Sequence, residues 1–287
     1  MSGRQKLVTA CIWGGLGNQL FSYAAARRLA IVNNAELRID HLSGFRNDKF
    51  GRQYALHHFN IPQNLVAPQE AFVSYSQFSR VVVRRLSRLL PFSWRPYLME
   101  EQSDFDERLV NLRLRGDVYL EGYWQSEGYF QDVQQQVRED FKMISPISPD
   151  AVDMSTHIGQ VEAIGVHVRR LQIDNPLESD YYFRAIEYIK EQVERPHFFV
   201  FSDSPGWAEK NLRFDVPVTY VPQQPGDDSG CIDMWLMSLC KHFITANSTF
   251  SWWGAWLGTN PDKIVISPSF FKNWGHKGLV PDSWIML

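Results

Sequence analysis

The sequence predicts an α/β protein of two domains, and three observations carry that prediction. From Ala163 onward short apolar strands alternate with helix-periodic segments, the pattern of a parallel sheet covered by helices on both faces. A length of 287 residues exceeds what one compact core usually fills, which favours two domains of about 150 residues each. Between them Ser145-Pro146-Ile147-Ser148-Pro149 reads as a linker, since two prolines interrupt a helix, so the domains are placed at 1–148 and 149–287.

In the first domain Leu7–Ile12 alternates and is rich in β formers; Gly14-Gly15-Leu16-Gly17-Asn18-Gln19 breaks it, and Phe21, Ala25, Leu29 and Val32 return at helical spacing. Gly14, Gly15 and Gly17 allow the backbone to approach a ligand closely, with the amides of Asn18 and Gln19 at a helix start. The run lacks the last glycine of a dinucleotide fingerprint. Glu36–Asp40 reads as a second strand, with Asp40 at its carboxyl end either facing a cleft or capping a turn.

Arg80, Arg84, Arg85 and Arg88 run against Val82, Val83, Leu86, Leu89 and Leu90. A basic amphipathic helix over Arg80–Arg88 fits two readings: a domain helix with a solvated basic face, or a peripheral contact with anionic lipid. Asp104-Phe105-Asp106 is an Asp-x-Asp that could hold a divalent metal against a nucleotide diphosphate, but Arg108 and its polar neighbours point to a turn entering a helix. Val118–Gly122 then reads as a strand, followed by an aromatic group of Tyr123, Trp124, Tyr129 and Phe130.

The second domain reads as strand Ala163–Arg169, helix Tyr181–Val193, strand His197–Ser202, helix Trp207–Leu212, strand Val218–Val221, helix Ile232–Leu239, strand His242–Ala246, helix Ser251–Leu257 and strand Lys263–Ser267. Ligands of open parallel sheets sit beyond the carboxyl ends of the strands. Three such ends carry polar groups: His167, Arg169 and Arg170; Ser202, Asp203 and Ser204; and Asn247, Ser248, Thr249 and Ser251. Adjacent arginines suit bidentate phosphate binding, capping residues before a helix offer amides and hydroxyls to an anion, and Asp203 can accept from a ribose or base edge. Each has a plainer alternative. Arg169 and Arg170 could pair with Asp174 or Glu178, and Phe243–Leu257 could be a capped helix with its tryptophans packed inward.

The totals exclude some partners. A net charge of −3 gives no global attraction for nucleic acid. Three cysteines, Cys11, Cys231 and Cys240, without a Cys-x-x-Cys spacing argue against a disulfide framework or thiolate zinc site and for a reducing compartment. The apolar run Leu7–Trp13 stops at the glycines, short of the ~18 residues of a membrane span. The expected location is therefore cytoplasmic, peripheral at the inner membrane face if Arg80–Arg88 meets lipid.

Gly-Gly-Leu-Gly-Asn-Gln followed by Tyr23-Ala24, His-x-Arg-Arg at 167–170 and Asn-Ser-Thr-x-Ser-Trp-Trp at 247–253 together resemble the bacterial α-1,2-fucosyltransferases of glycosyltransferase family eleven, across roughly Cys11 to Ser267. The resemblance implies a GT-B architecture, two Rossmann-like domains facing across a cleft, and an inverting transfer without metal or cofactor. The donor would be GDP-fucose and the acceptor the 2-hydroxyl of a galactose-like residue in an oligosaccharide or a lipid-linked surface-polysaccharide repeat. By similarity Arg169 would clamp the diphosphate with His167 and Arg170 in support. Asp203 and the Asn247–Ser251 loop would hold nucleotide and phosphates, and Asn18 would reach into the cleft. Asp40 is the candidate base, with Asn18 or the departing phosphate as alternatives. One departure stands out: the family continues Gly-Asp-Tyr after the two arginines, where this chain has Leu171-Gln172-Ile173. It leaves open another donor sugar, or a non-catalytic GDP-sugar or glycan binder. A metal-dependent transferase using Asp104 and Asp106 is the third reading.

Overall fold

The computed structural model describes residues 4–102, 104–223, 229–269 and 278–287, and their contacts divide into two compact units. The first unit runs to Lys142 and takes in Gly278 and Leu279; the second starts at Met143 and ends with Val280–Leu287. The chain thus changes unit ahead of the expected Ser145–Pro149 linker.

The first unit contains β1 (Leu7–Cys11), α1 (Leu16–Val32), β2 (Glu36–Asp40), α2 (Gln77–Arg88), β3 (Tyr97–Met99), α3 (Glu107–Val110), β4 (Val118–Glu121) and α4 (Gln134–Asp140). Its parallel sheet has the order β2-β1-β4-β3. The α1 sequence is apolar or small around most of its circumference, so the helix is buried on nearly all sides. Its two arginines therefore need partners: Arg28 forks onto Asp132 and Arg27 reaches Asp140 at 2.8 Å. The strand β3, absent from the sequence reading, spans three residues after Pro96, too few to display an alternation.

The second unit contains α5 (Pro149–Gly159), β5 (Glu162–Val168), α6 (Ser179–Gln192), β6 (Pro196–Ser202), α7 (Pro205–Asn211), β7 (Val218–Tyr220), α8 (Ser229–Ser238), β8 (His242–Ile244), α9 (Thr249–Leu257), β9 (Val265–Ser267) and β10 (Ile285–Met286). All strands are parallel in the order β10-β9-β8-β5-β6-β7. Pro149, expected in a linker, is instead the first residue of α5. Ser148 caps that helix by accepting from the Ala151 amide, and a proline at the first position costs no hydrogen bond. In α6 Tyr182, Ala185, Ile186 and Ile189 recur at helical spacing and bury against Ile164, Val166 and Val168 of the central strand β5.

Both sheets grow outward from an early central strand, and each has one gap where the chain reverses its direction of travel. In the first unit that gap lies between β1 and β4, in the second between β5 and β8. Such switch points open a crevice above the strand ends.

Candidate functional site

Strand register builds the site in the second unit. Val166 pairs with Ile244 and Val168 with Ser202, so the same offsets carried past the strand ends align Asn247, Arg169 and Asp203 in one row above β8, β5 and β6. Arg169 Nη1 lies 3.1 Å from Asp203 Oδ2, with the arginine 29% and the aspartate 16% exposed. A guanidinium carries five N–H donors, so this single ion pair orients the fork without exhausting it.

Asp203 does more than pair with Arg169. Its Oδ1 accepts the Arg170 amide at 2.8 Å and its Oδ2 the Leu171 amide at 3.0 Å, so the carboxylate clamps the turn leaving β5. The ribose-accepting role expected for Asp203 is therefore not what its oxygens do in this structure. Arg170 is likewise engaged. Its guanidinium donates to the Leu177 carbonyl at 2.8 Å, lies 4.1 Å from the centre of the Trp207 ring and 3.8 Å from Glu178, the partner the sequence offered as its plainer alternative.

His167 is buried under Phe250, and burial together with the nearby Arg169 charge pulls its pKa from 6.5 down to about 3. It is a neutral imidazole at physiological pH, supporting Arg169 as a polar neighbour rather than as a second cation. Its Nδ1 is buried without a hydrogen-bond partner among the described residues. Asn247 shows the same signature: Nδ2 donates to the Asn175 carbonyl at 3.0 Å, which ties the loop after β5 to β8, while Oδ1 is buried and unmatched among the described residues. Two such atoms near the ends of adjacent strands leave hydrogen-bonding capacity that a ligand or an ordered water can complete.

The Asn247–Ser251 segment folds as a cap. Ser248 accepts from the Phe250 amide at 3.3 Å, Thr249 opens α9, and the buried Ser251 hydroxyl takes the Ala246 amide at 3.1 Å. The tryptophans that follow, Trp252, Trp253 and Trp256, pack inward as core. Ser251 thus shapes the loop, while Ser248 and Thr249 stand at the positive end of the α9 dipole.

Asp233 was missed in the sequence. It sits in α8, and burial raises its pKa from 3.8 to about 7, with Oδ1 unpartnered among the described residues. Within Cys-Ile-Asp-Met-Trp-Leu-Met its signal was a lone carboxylate in an otherwise apolar helix.

In the first unit the glycines behave as a structural device. Gly14 has φ +76°, and a Cβ there would come within 2.9 Å of Tyr123 Oη and 3.1 Å of Asn18 Nδ2. Gly15 caps α1, and its carbonyl accepts the amides of Asn18 at 2.9 Å and Gln19 at 3.1 Å. Those two amides, expected to face a ligand, are consumed inside the helix; Gly17 is buried within its first turn. Asn18 Oδ1 accepts from Gln125 at 2.9 Å.

Asp40 requires a correction. It is 0% exposed and accepts from the amides of Leu42, Ser43 and Phe72 and the hydroxyls of Ser43 and Tyr119. Although burial alone would raise its pKa, these hydrogen bonds prevail and hold it below the usual carboxylate value. It anchors the loop after β2 and presents no oxygen to an incoming hydroxyl. Asp106 of the Asp-x-Asp caps α3 and pairs with Arg108 at 2.7 Å, as the turn reading anticipated.

Above the β1/β4 gap lies a cavity of about 390 Å³ whose lining includes Trp13, Gly14, Arg52, Arg80, Glu121 and Tyr123. Trp13 and Tyr123 stack with ring centres 4.3 Å apart. Aromatic faces beside charged hydrogen-bonding groups suit a sugar.

The family model of glycosyl transferase family 11 matches residues 90–275. An alpha-1,2-colitosyltransferase of Escherichia coli is 33% identical over 276 residues, covering 92% of this chain and 91% of that one. The O-antigen biosynthesis glycosyltransferase WbnK of Escherichia coli is 33% identical over 306 residues, covering 97% and 99%. Among solved structures, the NodZ alpha-1,6-fucosyltransferase soaked with GDP-fucose superposes with a TM-score of 0.54 at 19% identity, covering 88% of this chain and 93% of that one, a likeness of fold. The GT-B-like class expected from the sequence is thereby shown.

Proposed function

Since the chain belongs to glycosyltransferase family 11, we propose that it transfers fucose from GDP-fucose to the 2-hydroxyl of a galactose-like residue in an oligosaccharide or surface-polysaccharide repeat. The observation that carries this reading is the row of Asn247, Arg169 and Asp203 across three neighbouring strand ends. Arg169 and the N-terminus of α9 supply positive charge where the diphosphate of a nucleotide sugar would lie.

Departure of GDP puts charge on the β-phosphate, and a preorganised arginine neutralises it without metal. An inverting transfer takes one displacement: the acceptor hydroxyl attacks the anomeric carbon from the face opposite GDP as the carbon–oxygen bond to the phosphate breaks. With the Asp40 oxygens spent on its own loop, the proton of that hydroxyl passes to the departing diphosphate, which gains negative charge as its bond to the sugar breaks. The stacked Trp13 and Tyr123 would form a wall for the acceptor sugar.

A second reading changes only the donor sugar. Leu171 and Gln172 replace the glycine and aspartate of the family pattern in the turn held by Asp203, Gln172 adopts φ +53°, and one relative is named for colitose. Competition between GDP-fucose and the corresponding colitose donor for a galactoside acceptor, with and without EDTA, separates the readings. Fucose transfer that survives EDTA supports the first. Preference for colitose supports the second, and loss of all transfer on adding EDTA overturns the metal-independent mechanism.

A further inference from the structure

The basic amphipathic helix anticipated over Arg80–Arg88 exists, but it faces the other way from an ordinary surface helix. Its polar side is turned inward. Arg84 Nε donates to Tyr97 Oη at 2.8 Å and its Nη2 to both Glu121 oxygens at 2.8 and 3.0 Å, while Ser87 Oγ donates to the Tyr97 carbonyl at 2.7 Å. Arg80 lines the cavity of the first unit, with its Nε buried.

The apolar side is left outside. Phe78, Leu86 and Leu89 are 78%, 56% and 80% exposed, and with Val82 they follow one stripe of α2 at spacings of four, four and three residues. Leu90 and Trp94 extend it beyond the helix end, and the Arg115 guanidinium lies 4.7 Å from the Trp94 ring. Exposed Arg85 and Arg88 flank the stripe. Ala71–Met99 holds five arginines and no aspartate, glutamate or lysine. A contiguous apolar patch rimmed by charge marks an interaction surface.

We propose that the outward face of α2 lies on an anionic lipid surface, with Phe78, Leu86 and Leu89 below the headgroups, Trp94 at their level, and Arg85 and Arg88 against lipid phosphates. The charge selects this occupant over a second copy of the chain, because a two-fold contact through the stripe would set one arginine-bearing, acid-free patch against another. The inference is independent of which nucleotide sugar the second unit holds.

Co-sedimentation tests it with the full chain, using vesicles of phosphatidylcholine alone and vesicles with about one-third phosphatidylglycerol. The expected result is sedimentation with the anionic vesicles, weakening with salt, and retention in the supernatant with phosphatidylcholine. Arg85→Gln/Arg88→Gln should lower the affinity about 30-fold, the worth of two arginines near a charged surface. Leu86→Glu/Leu89→Glu should abolish binding, and both variants should keep the wild-type circular dichroism spectrum, which reports the fold, and the wild-type affinity for GDP, which reports the donor site. Equal binding to both vesicles, binding to neither, or variants that bind like the wild type would overturn the proposal. So would a concentration-dependent dimer dissolved by Leu86→Glu/Leu89→Glu, which would assign the stripe to a second copy.

Discussion

Arg169 and Asp203 meet at 3.1 Å because two neighbouring parallel strands end in register, Val168 of β5 beside Ser202 of β6. The pair places a cation at a strand end and holds the following turn through the amides of Arg170 and Leu171. Electrostatics and backbone geometry therefore depend on the same carboxylate.

Replacing Arg169 should act on the chemical step. Removing one preorganised charge donor commonly costs ~10²–10³-fold in turnover. Arg169→Ala should lose at least that much in kcat with an unchanged circular dichroism spectrum, and Arg169→Lys should recover only part, because an ammonium lacks the planar fork.

Replacing Asp203 should act on the loop as well. Asp203→Ala leaves two backbone amides and a partly buried arginine without their acceptor, a cost of about 1–3 kcal/mol in unfolding free energy. Urea denaturation measures it. Donor affinity should fall in parallel, whereas Arg169→Ala should leave stability closer to wild type.

The two buried titratable groups predict opposite pH slopes. His167 has its pKa lowered to about 3, so the unfolded chain binds its proton first: stability is full above 6.5 and drains away as pH falls toward 3. Asp233 has its pKa raised to about 7, so its contribution is full below 3.8 and is lost as pH rises through 7. Asp233→Asn should therefore melt higher than the wild type at about pH 8, with the gap narrower at about pH 5 and closing only as pH falls to 3.8, as thermal denaturation across that series would report.

Gly14→Ala should destabilise the first unit. The substitution forces a side chain into φ +76° and against Tyr123 Oη at 2.9 Å, and strain of this kind costs of order 1–3 kcal/mol. Gly15→Ala meets nothing within 4 Å and is the matched control in the same urea experiment.

Much of this arrangement was legible in the sequence. Short β-rich runs such as Ile164–Val168 and helix-periodic segments such as Tyr181–Val193 announce themselves, and polar residues at their ends follow. Strand register was not legible, so the alignment of Arg169 with Asp203 rather than with Asp174 could not be read from spacing. Nor does a carboxylate reveal whether its oxygens look outward: Asp40 at a strand end resembled a base until its five donors were seen. Helix α2 shows the deepest limit. Amphipathicity fixes two faces but not which one is turned inward, and Tyr97 and Glu121, far along the chain, decided it. Pro149 was misjudged for a local reason, since a proline that breaks a helix interior also opens a helix when a serine precedes it.

The central claim is that the strand ends of β8, β5 and β6 hold a guanosine diphosphate sugar through Arg169. Calorimetric titration of GDP into the wild-type chain and into Arg169→Ala tests it most directly. Binding by the wild type in the presence of EDTA, weakened at least tenfold by the substitution, is the predicted result. No GDP binding by the wild type, or equal affinity in the two proteins, would contradict it.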